Sequence, residues 1–262
     1  MLLVHIAGAA DLGVPLKNGS NNRPSEDVEH DMTSRLTELD SCSNPADIAS
    51  RLLELNFNHQ TDVNTDEERI STHPGSALKK EIQALSRLST KDVNHAEILI
   101  IGAEGKHTPT DQLARSLAHQ LRKISADISN LVGLDDIHIE PCILRDLTVN
   151  QTNNKILEQA IGLHNGHILL PVGGGASKIF SEAAGVTAAT HPDEWSLALI
   201  DRTAGAPCTQ DAPPLIDMSV SADPAKGWLM GLGLPTILKG LSPDLDEEVN
   251  QAAEAVERVM GE

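Results

Sequence analysis

From residue 98 onward the sequence alternates short, continuously apolar runs with stretches of helical spacing, and no other feature constrains the fold as strongly. Ile98–Ile101 reads ILII, Ile137–Ile143 reads IHIEPCI, His167–Val172 reads HILLPV and Trp195–Ile200 reads WSLALI. Short runs of this composition are strands buried on both faces. Between them Leu113, Leu117 and Leu121 keep a helical period, and Asn153–Leu163 and Lys178–Gly185 read as helices. Such alternation implies an α/β fold, a parallel sheet with right-handed crossovers. Sheets of that kind take ligands at the carboxyl ends of their strands.

The amino-terminal run MLLVHIAGAA supplies one more strand, Leu2–Ala7. It has no basic region before the apolar run, and Asp11 follows at once, so it reads as a buried strand rather than a secretion signal. Lys17–Glu29 reads as an exposed, mobile loop, followed by helices at Asp31–Leu39 and Pro45–Leu55. In the second helix Asn44 is the N-cap, Pro45 the first helical residue, and Ile48, Leu52 and Leu55 one face. A polar connection over 58–74 leads to a helix at Ser76–Leu88, with Leu78, Ile82, Leu85 and Leu88 in register. We therefore expect a Rossmann-like domain over 1–205, with a mostly helical insert at 18–95. An irregular and helical extension over 206–262 would follow, broken at Pro213-Pro214 and ending in the acidic-first helix Asp244–Met260. No run of about 18 apolar residues is present, so no membrane span is expected.

Charge removes several functions. With 20 Lys+Arg against 38 Asp+Glu, the net charge is −18, and there are 2 Phe, 2 Trp and no Tyr. Binding to DNA or RNA in general rests on phosphate neutralisation and, for single strands, on aromatic platforms, and this chain has little of either. An anionic ligand must be held locally by backbone amides and a few cations. Cys42, Cys142 and Cys208 are isolated and form no CxxC, which fits a reducing compartment and a cytoplasmic location. The eleven histidines show no metal-ligand spacing, so neither a metal nor a cofactor is expected.

Three turns carry candidate chemistry. HILLPVGGGASKIF places Gly173, Gly174 and Gly175 after a strand, with Ser177 and Lys178 where the next helix begins. Glycines let backbone approach a ligand, and a helix start offers free N–H groups and a positive dipole end. A tight turn without ligand uses the same pattern, but three glycines are costly for a turn alone. GxxxxGK[ST] is absent, and Gly173-x-Gly175 is half of a GxGxxG. GAEGKHTPT places Gly102, Lys106, His107, Thr108 and Thr110 at a second strand end, with Thr108 as N-cap and Pro109 as first helical residue. Phosphate or ribose contact competes there with simple capping in a solvated loop. AGAADLG places Gly8, Ala9 and Asp11 at the first strand's end, where Asp11 meets a ribose hydroxyl or serves the turn. Arg145 and Asp146 follow the third strand, as ligand contacts or as a pair. Cys142 lies on a strand and reads as core.

The order of these motifs resembles the CRISPR-associated Rossmann fold (CARF) family, the sensor domains of type III CRISPR defence. The likeness runs through IAGAADLGVPL, ILIIGAEGKHTPTDQLARSLAHQL, IHIEPCILRDLT, ILLPVGGGASKIF and LALID, covering roughly 1–11 and 96–202. It implies a homodimer whose crevices join into one site for a cyclic oligoadenylate of four or six nucleotides. It also implies either a downstream effector or metal-independent ring cleavage by 2′-OH attack, with Lys178 or Lys106 stabilising charge. Arg23…His30 matches the spacing of the family's HEPN ribonuclease motif but lies in a polar stretch, and is read as chance. Two other readings stay open: a Rossmann-like enzyme acting on a sugar phosphate or nucleotide, with Asp11, His107 or Asp146 as base, and a non-catalytic regulatory subunit.

Overall fold

A computed structural model of the chain describes residues 1–14, 17–18, 21–53, 76–89, 93–104, 109–145, 149–161, 166–171, 183, 187, 195–200 and 215–217. The strands are β1 (Leu2–Ile6), β2 (Lys17–Asn18), β3 (Asn21–Asn22), β4 (His95–Ala103), β5 (Asp136–Leu144), β6 (Gly166–Pro171), β7 (Trp195–Ile200) and β8 (Leu215–Asp217). The helices are α1 (Ser25–Ser41), α2 (Pro45–Leu53), α3 (Ser76–Ala84), α4 (Thr110–Lys123), α5 (Ser125–Val132) and α6 (Val149–Ile161).

The five apolar runs pair as expected. The main sheet has the order β5-β4-β1-β6-β7-β8, and β2 and β3 form a separate antiparallel ribbon. Every pairing from β5 through β7 is parallel, and β8 runs antiparallel to β7. Numbered by first appearance in the main sheet, this is the doubly wound order 3-2-1-4-5-6. The fold is an α/β, Rossmann-like sheet flanked by helices.

Register explains why the runs are continuously apolar. Leu3 is level with Ile98 and Leu169, while Leu2 is level with Glu97 and Ile168. Successive residues therefore serve opposite faces, and Leu2, Leu3, Val4, Ile98 and Ile100 are all fully buried. One face, with Leu3, Ile98, Ile100 and Ile139, packs on α1 to α5 through residues such as Met32, Ile48, Ile82, Leu117 and Ile128. The other face carries Val4, Leu99, Ile101 and Cys142, and α6 packs on β5 with Ile156 fully buried.

Four local expectations are corrected. The stretch expected as a mobile loop before Asp31 contains the first turns of α1, which begins at Ser25 and buries Val28, Met32, Leu36 and Leu39. Its carboxyl end is held by α4: the fully buried Gln120 donates from Nε2 to the Leu39 carbonyl at 2.7 Å. Helix α4 begins at Thr110 with Pro109 as its N-cap, one residue later than Thr108 capping would give. Between α4 and β5 stands a further short helix, α5, closed by Gly133 in the left-handed region (φ 71°). Residues 215–217, read as irregular, form β8. Elsewhere α3 tightens into a 3-10 turn over Leu85–Arg87, and α6 starts at Val149 rather than Asn153. The expected helices at Lys178–Gly185 and Asp244–Met260 lie outside the described residues, apart from the helical Ala183.

Candidate functional site

The reversal of strand order falls between β1 and β6, which are hydrogen-bonded neighbours. The chain leaves these two strands toward opposite sides of the sheet, the arrangement beyond whose carboxyl ends open α/β sheets take their ligands. Beyond β1 lies a single 3-10 turn, Ala9–Leu12. Beyond β6 the sequence runs directly from Pro171 and Val172 into Gly173-Gly174-Gly175. Gly173, Gly174, Gly175, Ser177 and Lys178 lie outside the described residues, as do Lys106, His107, Thr108 and Asp146.

The first turn is described in full backbone detail. The Gly8 amide donates to Asp11 Oδ2 at 2.8 Å, and the Asp11 amide donates back to the Gly8 carbonyl at 3.0 Å. Among the described residues, a Cβ added at Gly8 would meet nothing within 4 Å, so this glycine borders open space. Ala9 is buried at the turn's inner side. Asp11 is only 3% exposed and aims inward, at a residue that the motif reading passed over.

That residue is His5. It lies on β1, 2% exposed, on the face covered by α3. Its Nδ1 sits 2.5 Å from Glu81 Oε2 on α3, and its Nε2 sits 3.1 Å from Asp11 Oδ2. The contact to Glu81 is an aligned hydrogen bond. The contact to Asp11 lies off the N–H direction and is a charge contact, which leaves Nε2 without an aligned acceptor. Burial alone would push the imidazole pKa down, but the charges of Asp11 and Glu81 outweigh it and raise it to about 10. A pKa so raised makes His5 a buried imidazolium at neutral pH, Nδ1 bonded to Glu81 and Nε2 facing the Asp11 charge, with no free lone pair to act as a general base. The signal for it was a lone histidine inside an apolar strand, which obliges the fold to supply a buried partner.

The two flanks of the second turn pack on each other. A Cβ at Gly102 would lie 2.3 Å from the Thr110 carbonyl oxygen, so the glycine lets α4 start directly against the end of β4. The Thr110 hydroxyl donates to the Ala103 carbonyl at 3.0 Å and faces the Ala103 amide at 3.2 Å. Gly102 and Thr110 thus fasten helix to strand. Arg145, after β5, is 87% exposed, with its Nε 3.8 Å from Glu104 Oε2. Gly8, Asp11, Gly102, Thr110 and Arg145 all lie at the carboxyl edge of the sheet, but Asp11 and Thr110 direct their polar atoms into the protein. Cys142 is buried on β5 and burial pushes its thiol up, which makes it a core residue rather than a nucleophile.

Among the described residues, no group of three or more His, Cys, Asp or Glu is placed to hold a metal ion, and no helix is long and apolar enough to cross a membrane. No family model, no curated protein and no solved structure matches the chain.

Proposed function

We propose that this protein is a cytoplasmic cyclic oligoadenylate sensor of the kind that serves type III CRISPR defence. One observation carries the reading: the strand order sets the carboxyl ends of β1 and β6 side by side, at the sheet's switch point. The open space at Gly8 lies at that switch point, and the triple glycine follows β6 directly in sequence, which supports treating the two as parts of one site. In this reading the amides and Lys178 of the Gly173–Lys178 segment hold phosphate, while Gly8 leaves room for a ribose or base. The Gly8 amide is already bonded to Asp11, so the first turn is a wall of the site rather than an anion cradle. Two copies of the chain, crevice to crevice, would surround one ring. A net charge of −18 discourages other RNA. If the ring is cleaved, the substrate's own 2′-OH is the nucleophile, and the protein's part is in-line geometry and charge stabilisation by Lys178 or Lys106.

Titration calorimetry of the full chain with cyclic tetra- and hexa-adenylate, followed by chromatography of the mixture, tests this. The expected result is binding of one ring per two chains, weakened about tenfold in Lys178→Ala, the loss of one phosphate contact. Linear products would add ring cleavage, and intact ring would point to a separate effector. Absence of heat with both rings overturns the proposal and returns the crevice to a sugar-phosphate ligand.

A further inference from the structure

We propose that Glu81 and His5 regulate the crevice just described, as a buried charged link through which α3 sets the position of the Gly8–Leu12 turn. This inference rests on the sensor reading for its consequence, though not for its geometry.

The link has three joints. Glu81 on α3 accepts from His5 Nδ1 at 2.5 Å, His5 Nε2 faces Asp11 Oδ2 at 3.1 Å, and the same Oδ2 accepts from the Gly8 amide at 2.8 Å. Every side chain in it is buried: His5 is 2% exposed, Asp11 3% and Glu81 1%. Helix α3 also packs directly on β1 and on the 3-10 turn. Charge-assisted bonds in a dry interior are strong, and separating one of the charges there is costly. When α3 shifts, His5 is tied to the strand, so the strain falls on Asp11 and through it on the Gly8 amide. No acid–base role competes with this one, because the ring is buried and each nitrogen faces a buried carboxylate.

The link explains why polar residues stand where the core would otherwise take leucine. It also gives the segment between β1 and β4 a task. Whatever displaces α3, a partner protein or a second copy of the chain, changes the wall of the crevice without touching the ligand. Glu81 and His5 are positioning residues, because neither borders the open space at Gly8.

Hydrogen exchange on the ligand-free full chain, wild type against Glu81→Gln, tests the link. The glutamine keeps the shape and removes the charge. Exchange at the Gly8 and Asp11 amides is expected to rise about tenfold, while amides of Ile98–Ile101 in β4 stay unchanged. A turn that exchanges at the wild-type rate overturns the proposal, as does a uniform rise that includes β4. Should Glu81→Gln fail to fold, the wild-type imidazole ¹⁵N signals decide: His5 protonated on both nitrogens at pH 8 supports the link, and a neutral ring overturns it. For regulation, Glu81→Gln is expected to weaken cyclic oligoadenylate binding about tenfold at unchanged stoichiometry. Unchanged affinity overturns the regulatory role. Wild-type protein that binds neither ring sinks the sensor reading, while the exchange result still judges the link.

Discussion

Glu81 Oε2 lies 2.5 Å from His5 Nδ1 although 76 residues separate them in the chain. The contact joins the central strand to the last helix before β4, and Asp11 holds the opposite side of the same ring. Removing the ring alone takes a buried cation away from two buried carboxylates. His5→Leu is expected to cost about 3–5 kcal/mol in urea unfolding. The triple variant His5→Leu/Asp11→Asn/Glu81→Gln is expected to recover most of that loss. A triple variant as unstable as the single one would show that charge compensation is not what the histidine provides.

The same cluster predicts a pH dependence. The folded His5 pKa, about 10, lies above its ordinary value of 6.5, so the folded state holds a proton that the unfolded chain releases first. The stabilisation is complete below pH 6.5 and disappears as pH rises through about 10. Across that window the wild type is expected to lose up to about 1.4 kcal/mol per pH unit relative to the triple variant. Unfolding curves of both proteins at half-unit pH steps give the difference directly. Parallel curves would refute a charged His5.

Two glycines at neighbouring strand ends answer substitution in opposite ways. At Gly102 the added Cβ meets backbone at 2.3 Å, so Gly102→Ala must push α4 off β4. The expected loss is about 1–3 kcal/mol, the range of an overpacked core. At Gly8 the added Cβ meets nothing within 4 Å among the described residues, and Gly8→Val is expected to leave stability within about 0.5 kcal/mol. If the open space at Gly8 takes the ligand, that same Gly8→Val protein loses ring binding. Thermal melts and calorimetry on the two variants separate the packing glycine from the ligand glycine.

Glu97 is a destabilising carboxylate. It is 6% exposed on β4, level with Leu2 on β1, and burial raises its pKa, with Glu140 adding to the rise and His138 opposing it. With the Gln159 amide nitrogen turned toward it, Gln159 donates to Glu97 Oε2 at 3.2 Å. A raised carboxylate pKa means that the folded state resists ionisation, so Glu97 opposes folding increasingly as pH climbs above its ordinary 4.5. Glu97→Gln is expected to raise stability at pH 7 by up to about 1 kcal/mol, or about 2–4 °C in Tm. The gain should fade in melts at acid pH, and a loss at pH 7 would reverse the argument.

The centre of the sheet was legible because β1 and β4 are buried on both faces, and a continuous apolar run such as ILII has no other economical use. Strand β8 was not, since three residues after Pro213-Pro214 carry no period. The start of α1 was hidden for a related reason: SEDVEH shows one apolar residue, and the helix declares itself only through Val28, Met32, Leu36 and Leu39 together. At the site, glycine spacing marked Gly8 and Gly102 alike, because a glycine that admits a ligand and one that admits a helix look the same in one dimension. His5 and Glu81 escaped altogether. Their pairing is a fact of tertiary contact between a strand and a helix whose spacing in sequence encodes nothing.

The arrangement of the sheet also orders events during synthesis. Strand β1 is the middle of the sheet, yet its first neighbour, β4, starts only at His95 and its second, β6, at Gly166. The unit from β4 through α4 and α5 to β5 closes locally and suits an early nucleus, whereas β1 must wait to be inserted. Until then LLVHI, among the most apolar segments of the chain, leaves the ribosome with both hydrogen-bonding edges open. It is the stretch that chaperones have most reason to shield.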